Sequence, residues 1–211
     1  MRVNPELFKA YDVRGLYPGE IDEEIARLIG RGFAAYLQTG RVGVSRDMRV
    51  SSPALAAAFI EGVREQGTDV VDYGMLGTDM LYFAVVRDEL GGGAQITASH
   101  NPKQYNGIKM VRAGAQALSG DAGIGEIRDM VVNDRLPRPA ARRGGLSTRD
   151  VLEEYVDTVL SFVDPAAIRP LKVVLDGGNG MAGPMVGPIL EQLEGLELLP
   201  TYWEPDGEFP D

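Results

Sequence analysis

The strongest constraint on how this chain folds is its alternation of helix-period segments with short apolar runs at the spacing of βαβ units. Residues 22–38 place Ile25, Leu28, Ile29 and Phe33 on one helical face, with acidic residues in the first turn where they complement the helix dipole. Residues 42–45 then read as a strand. Ser52-Pro53 reads as an N-cap followed by Pro at N1, opening a helix to about Gln66. A second strand is expected over residues 70–73 and a helix over 79–90, capped by Thr78. Gly91-Gly92-Gly93 breaks that helix. Residues 94–97 and 107–111 read as strands on either side of a polar, turn-rich loop, and residues 121–132 as a helix. This order predicts an α/β protein: a three-layer α/β/α domain whose mostly parallel sheet is covered on both faces.

Residues 135–145 break the pattern with Pro, Arg and Gly and read as an exposed connector. Their charge alone does not make a nucleic-acid patch, because no aromatic stacking platform accompanies it. Ser147 is a candidate cap, with Asp150 three residues on. Val151, Leu152, Tyr155, Val156, Val159, Leu160 and Val163 then give a strongly amphipathic helix. A strand over residues 171–175, a Gly-rich turn, a helix to about Leu193 and a strand over 196–202 begin a second α/β unit. The expected division is residues 1–146 and 147–211. Two strands cannot bury both faces of a sheet, so the second unit is expected to be truncated.

Composition narrows the function. The 211 residues, 44% hydrophobic and 25% charged, suffice for one or two globular domains. With no Cys, a disulfide scaffold, a thiolate metal site and a Cys nucleophile are excluded. A formal net charge of −10 makes nucleic acid and anionic membrane poor partners. An anionic sugar phosphate is compatible only where basic residues converge locally. No apolar run approaches the roughly 20 residues of a spanning helix, and no signal-peptide pattern follows Met1, so the expected compartment is the cytoplasm. The 27 glycines suggest several tight turns or ligand-facing loops.

The most informative segment is Gln95-Ile96-Thr97-Ala98-Ser99-His100-Asn101-Pro102, followed by Tyr105-Asn106-Gly107-Ile108-Lys109. An apolar strand delivers a small-residue loop with Ser99 at its tip, and loops at the carboxyl ends of strands hold ligands in open α/β sheets. A serine hydroxyl is a weak nucleophile that needs a base or a preorganised electrostatic site. His100, the only histidine, is adjacent, Asn101 adds an amide donor, and Lys109 brings positive charge back on the next strand. The same residues also suit plain turn chemistry. Lys109 alternates with apolar neighbours as a solvent-facing residue does. Arg14 with Asp12, and Arg46 with Asp47, read equally as surface ion pairs. No Gly-x-Ser-x-Gly elbow supports a serine hydrolase.

These residues resemble the α-D-phosphohexomutases, the family of phosphomannomutase and phosphoglucomutase. Residues 97–102 match that family's active-serine loop, and residues 105–109 the segment after it. Phe8-Lys9-Ala10-Tyr11-Asp12-Val13-Arg14-Gly15 resembles the N-terminal signature. Ser45-Arg46-Asp47-Met48-Arg49 resembles an Arg-Asp-x-Arg segment, and residues 77–84 the helix before the active strand. The resemblance implies that Ser99 carries a phosphoryl group and passes it to a hexose monophosphate. The resulting bisphosphate then returns its other phosphate, so 1- and 6-phosphates interconvert. It implies Lys109 and Arg14 as charge stabilisers and proton-transfer candidates that also bind substrate. Tyr11 would lie near the sugar, His100 would support the phosphoserine, and Asn101 and Arg46 would support the loop. It also implies magnesium, held partly through the phosphate on Ser99, and a hexose 1,6-bisphosphate activator. The family's Asp-Gly-Asp-x-Asp-Arg metal loop, its sugar loop and its phosphate-docking loop are absent, so this stretch alone is expected to be inactive. Mannose, glucose and glucosamine phosphates are all compatible with it, and oligomeric state is not encoded in any motif found.

One competing pattern stands out. Gly178, Gly180 and Gly183 give G-x-G-x-x-G between a strand and a helix, with Glu204 about 20 residues on, as in dinucleotide-binding modules. The alternatives are therefore an NAD-type module, a structural strand-to-helix turn, or a scaffold without catalysis.

Overall fold

The structure, a computed structural model, describes residues 3–210. In chain order it comprises β1 (Val13–Leu16), α1 (Glu23–Leu37), β2 (Arg41–Arg46), α2 (Ser52–Glu65), β3 (Asp69–Met75), α3 (Thr78–Arg87), β4 (Gly92–Ile96), β5 (Tyr105–Arg112), β6 (Gln116–Ala117), α4 (Ile124–Val132), β7 (Leu146–Thr148), α5 (Leu152–Leu160), β8 (Leu171–Asp176), α6 (Ala182–Leu190) and β9 (Leu196–Thr201).

β1 to β7 form one sheet in the order β1-β5-β4-β2-β3-β7, with β6 on β5. β4, β2, β3 and β7 pair in parallel, while β5 is antiparallel to β4, β1 and β6. Only β5 therefore runs against the others, and the sheet is mostly parallel as the alternation implied. Side chains alternate across it. Val70 and Met110 enter the core under α1, α2 and α4, with Ile29, Phe33, Leu55, Phe59 and Ile127. Their neighbours Val71 and Val111 enter the opposite core, with Leu81 and Val85 of α3 and Val151 beside α5. Both faces are covered, giving three layers. β8 and β9 form a separate parallel pair, and Leu171, Val174 and Leu199 are exposed on it.

α1 starts as expected: Asp22 caps it, its Oδ1 accepting from the Ile25 N–H at 2.8 Å. Other boundaries differ. Ser51, not Ser52, precedes α2, and the Ser52 hydroxyl is spent on Asp47. Gly77 rather than Thr78 is the cap position of α3, and α4 begins at Ile124, later than residue 121. Ser147 does not cap α5. It lies in β7, paired beside Val71 of β3, and Asp150 Oδ1 instead accepts from the Leu152 N–H at 2.9 Å. The first sheet thus extends through Thr148, past the expected division at 146.

α5 meets α3 through Tyr155, whose ring packs edge-on against Phe83 and whose hydroxyl donates to Asp79 Oδ2 at 2.8 Å. Burial, with help from the Asp79 hydrogen bond and charge, pushes this phenol up to about 12. The neutral form is favoured by folding, so its contribution is complete below pH ~10 and fades as pH rises toward 12. Tyr155→Phe is expected to cost about 1 kcal/mol near neutrality. The gap in urea midpoint between wild type and variant should close as pH climbs through that window.

Candidate active site

Ser99 sits three residues beyond β4, at the carboxyl edge of the parallel strands, where β2 delivers Asp47 and β3 delivers Gly77 and Thr78. It is exposed, as is His100. Ser99 holds φ at +55°, in the left-handed region that side chains rarely enter. Two bonds pin that turn. The Ser99 N–H donates to Thr97 Oγ1 at 2.9 Å, and the Ser99 carbonyl accepts from Arg49 Nη2 at 2.9 Å. The hydroxyl itself has only a long contact, 3.4 Å to His100 Nδ1. Asn101 Nδ2 donates to the Ala98 carbonyl at 2.8 Å, closing the loop on itself.

A buried polar node lies beneath the loop. Asp47 accepts from Ser52 Oγ at 2.5 Å, Thr97 Oγ1 at 2.6 Å and Arg49 Nε at 3.2 Å. Asn106, also buried, donates to the Ser51 and Ser52 hydroxyls at 2.7 and 3.0 Å. Burial lowers the pKa of Arg49, opposed by Asp47 and aided by the charge of Arg14 nearby. Arg46 makes only one bond here, to the Asp47 carbonyl at 3.2 Å. The support expected from Arg46 therefore comes from Arg49. Sequence reading placed Arg49 in the Arg-Asp-x-Arg segment but gave it no role, because four of its five partners are backbone carbonyls about fifty residues away, which leave no side-chain signature.

Ser99 and His100 open onto a cavity of about 470 Å³ shared with Thr78, Asp79, Gly178 and Gly180. On its other side Ser99 borders a second hollow of about 380 Å³, with Arg49 and Phe209. A further hollow of about 490 Å³ beside β3 and α6 includes none of the candidate site residues. Arg14 and Lys109 line neither cavity at Ser99. They meet instead at Asp12, 2.5 Å from Arg14 Nη2 and 3.5 Å from Lys109 Nζ. Asp12 is buried, and Arg14 Nε is buried with no hydrogen-bond partner among the described residues. Arg14 stands opposite Gly107, whose carbonyl accepts from the Thr97 N–H at 2.9 Å. Two strand spacings, about 10 Å, thus separate the Arg14 backbone from that of Thr97. Tyr11, just before this cluster, is 72% exposed.

A family model described as phosphoglucomutase/phosphomannomutase, alpha/beta/alpha domain I, matches residues 5–135, which contain Arg14, Arg49, Ser99, His100 and Lys109. The model for domain II of the same proteins matches residues 153–211. The chain belongs to the phosphoglucomutase/phosphomannomutase family. A phosphomannomutase of Escherichia coli is 40% identical over 210 residues, covering 97% of this chain and 46% of that protein. A protein named phosphohexose mutases, from Xanthomonas campestris pv. campestris, is 41% identical over 204 residues, covering 97% and 45%. A solved phosphoglucomutase/phosphomannomutase family protein from Burkholderia thailandensis superposes with a TM-score of 0.86 at 36% identity, covering 99% of this chain and 46% of that one. The chain spans about half the length of the relatives it matches.

Within this family the G-x-G-x-x-G run reads as a structural turn. The N–H groups that would cradle a pyrophosphate are already used: Gly178 on Asp176 Oδ1, Asn179 on the Tyr202 carbonyl and Gly180 on the Gly177 carbonyl, each at 2.8 Å. A side chain at Gly183 would run into the Trp203 carbonyl. The glycines let β8, α6 and the chain after β9 approach closely, so the dinucleotide alternative is not supported. Among the described residues no helix is long and apolar enough to cross a membrane. No group of three or more His, Cys, Asp or Glu converges on a possible metal position among them either.

Proposed function

We propose that the full encoded protein is a phosphohexomutase that interconverts hexose 1- and 6-phosphates through a phosphoryl group carried on Ser99. The observation that supports this most is the Ser99 hydroxyl. It is exposed at the carboxyl edge of the sheet, bonded to nothing closer than 3.4 Å among the described residues, on a backbone turn held from below. A transferring group needs a free oxygen on a fixed frame.

In the forward half-reaction the substrate hydroxyl oxygen bonds to phosphorus as the bond from phosphorus to Ser99 Oγ breaks. The substrate hydroxyl gives up its proton and Ser99 Oγ gains one. After the bisphosphate reverses its orientation, the same step runs backward on its other phosphate, and Ser99 is phosphorylated again. A phosphoserine carries close to −2 charge at neutral pH, so cations must share the site. Arg14 and Lys109 are the candidates, both as charge stabilisers and as the groups that bind substrate. The unpartnered Arg14 Nε is an unspent donor suited to a phosphate oxygen. Asp12 holds the two cations together until such an anion arrives. His100 and Asn101 support the serine turn, and Tyr11, being free, can close over a sugar.

The magnesium ion implied by the family resemblance does not find a complete site in this chain, since no cluster of acidic or imidazole ligands forms among the described residues. An Mg2+ ion prefers six oxygens in near-octahedral array, and one phosphoserine oxygen supplies only one of them. Because the chain spans about half of its relatives, the complete activity, its hexose substrate, a bisphosphate activator and a cytoplasmic setting are proposed for the full encoded protein.

The test is intact-mass measurement of that protein after incubation with glucose 1,6-bisphosphate, alongside turnover of mannose and glucose 1-phosphates. One added phosphoryl mass, mapped to Ser99 and missing in Ser99→Ala, is the expected result. A wild-type protein showing neither the adduct nor turnover would mean a scaffold that keeps the fold without the chemistry.

A further inference from the structure

We infer that Arg49 is the positioning residue that fixes the Ser99 loop for phosphoryl transfer, with Phe209 closing over it. This rests on Ser99 being the phosphoryl carrier.

An arginine side chain offers five N–H donors in a rigid planar fork and no acceptor. All five are spent here. Nε donates to Asp47 Oδ2 at 3.2 Å. Nη1 donates to the carbonyls of Pro102 and Tyr105 at 2.9 and 3.0 Å. Nη2 donates to the carbonyls of Ser99 and Asn101 at 2.9 and 2.6 Å. Three carbonyls of the loop and that of Tyr105, at the start of β5, therefore converge on one cation, and the plane of the fork dictates where they lie. The side chain is only 1% exposed, so Arg49 acts on the loop and not on substrate.

The loop needs such a fixture. Ser99 sits at φ +55°, a conformation that persists only where its surroundings over-determine it. Among the described residues the loop's own bonds run to only two of its carbonyls, Ala98 from Asn101 and Pro102 from the Tyr105 N–H at 3.0 Å, and the Tyr17 N–H reaches a third, Gln104, at 2.8 Å. Arg49 adds four more bonds. It is itself oriented from two sides: its backbone N–H donates to Asp47 Oδ1 at 3.0 Å, and the Phe209 ring lies 5.2 Å from its guanidinium carbon. Beside Phe209, Glu208 pairs with Lys103 of the loop at 3.0 Å. The chain after β9 thus lies across the serine loop and shields the guanidinium face from water.

Lysine keeps the charge but offers three donors from a single point, so it cannot reproduce the fork. In the full encoded protein, Arg49→Lys is expected to lower kcat for phosphoryl transfer about 30- to 300-fold, the scale of a misplacement near 1 Å. KM should stay within about threefold, because no substrate contact is lost. Rates are taken per folded molecule, with the folded fraction read from thermal melts. A purely structural role would change the melt and leave kcat per folded molecule at the wild-type value, which would overturn the inference. If Arg49→Lys does not fold, Phe209→Leu takes its place: a fall in kcat of about threefold or more at constant KM supports the inference, and an unchanged kcat overturns it. If the wild type takes up no phosphoryl group, the mutase reading fails and this inference falls with it. If the wild type does and Arg49→Lys does equally well, only this inference fails.

Discussion

Gly62→Ala is expected to lower the melting temperature by roughly 5–12 °C, the effect of about 2–3 kcal/mol in a chain of this size. Intrinsic helix propensity points the other way, since alanine is the better helix former by about 1 kcal/mol. Packing decides the sign. α1 and α2 cross where neither has a side chain: a Cβ on Gly62 would overlap the Arg27 carbonyl oxygen and come within 2.8 Å of its carbon and 3.0 Å of the Arg31 nitrogen. A Cβ on Gly30 would likewise overlap the Phe59 carbonyl oxygen. These are backbone atoms inside helices, so no rotamer change relieves the overlap and the helices must separate. Separation would also stretch the Arg27–Glu65 bond, 2.7 Å, that ties the two together, and loosen Phe33 against Phe59 in the core. Gly40→Ala is the control, because nothing lies within 4 Å of a Cβ there. A Gly62→Ala melt that coincided with those of Gly40→Ala and wild type would show that the two helices do not meet backbone to backbone at this position.

Those glycines show what the sequence could and could not reveal. A high glycine content read as turns and ligand-facing loops, and Gly178 at positive φ fits that reading. Gly30 and Gly62 leave no such mark, because their reason is a facing helix some thirty residues away in the chain. The main helices and central strands were legible, since each rests on a local period that sequence displays directly. β1 was not: Val13–Leu16 contains Arg and Gly, and it becomes a strand only by pairing with β5 about ninety residues later. β7 escaped for the same reason, with its three residues all exposed. The serine loop was legible because its chemistry is contiguous. Arg14 could be paired with Asp12 and Lys109 could be named, but that Lys109 shares the same carboxylate could only be seen in space. Ser52 misled as a cap because a Ser-Pro start fits the local rule, whereas its hydroxyl serves the Asp47 node.

Lys109→Met should separate catalysis from stability more sharply than any other single change. Lys109 is about a quarter exposed, and its pairing with Asp12 is 3.5 Å long. A partly solvated pair of this kind contributes at most about 1 kcal/mol. Methionine keeps much of the stem that packs along β5, so the melt should move by no more than a few degrees. In the proposed transfer the reacting phosphoryl is a different case. A fixed cation beside developing charge in a sheltered site is worth about 10²- to 10³-fold in kcat, or ~2.7–4 kcal/mol. Steady-state turnover of the full encoded protein is therefore expected to fall by that factor. Asp12 remains with Arg14 alone, 2.5 Å away, so the carboxylate is not left unpaired and the frame of β1 and β5 stays intact. Turnover within about threefold of wild type would remove Lys109 from the reacting phosphoryl. It would leave Ser99 as the proposed carrier and place the charge stabilisation on Arg14, whose buried Nε lacks a partner among the described residues.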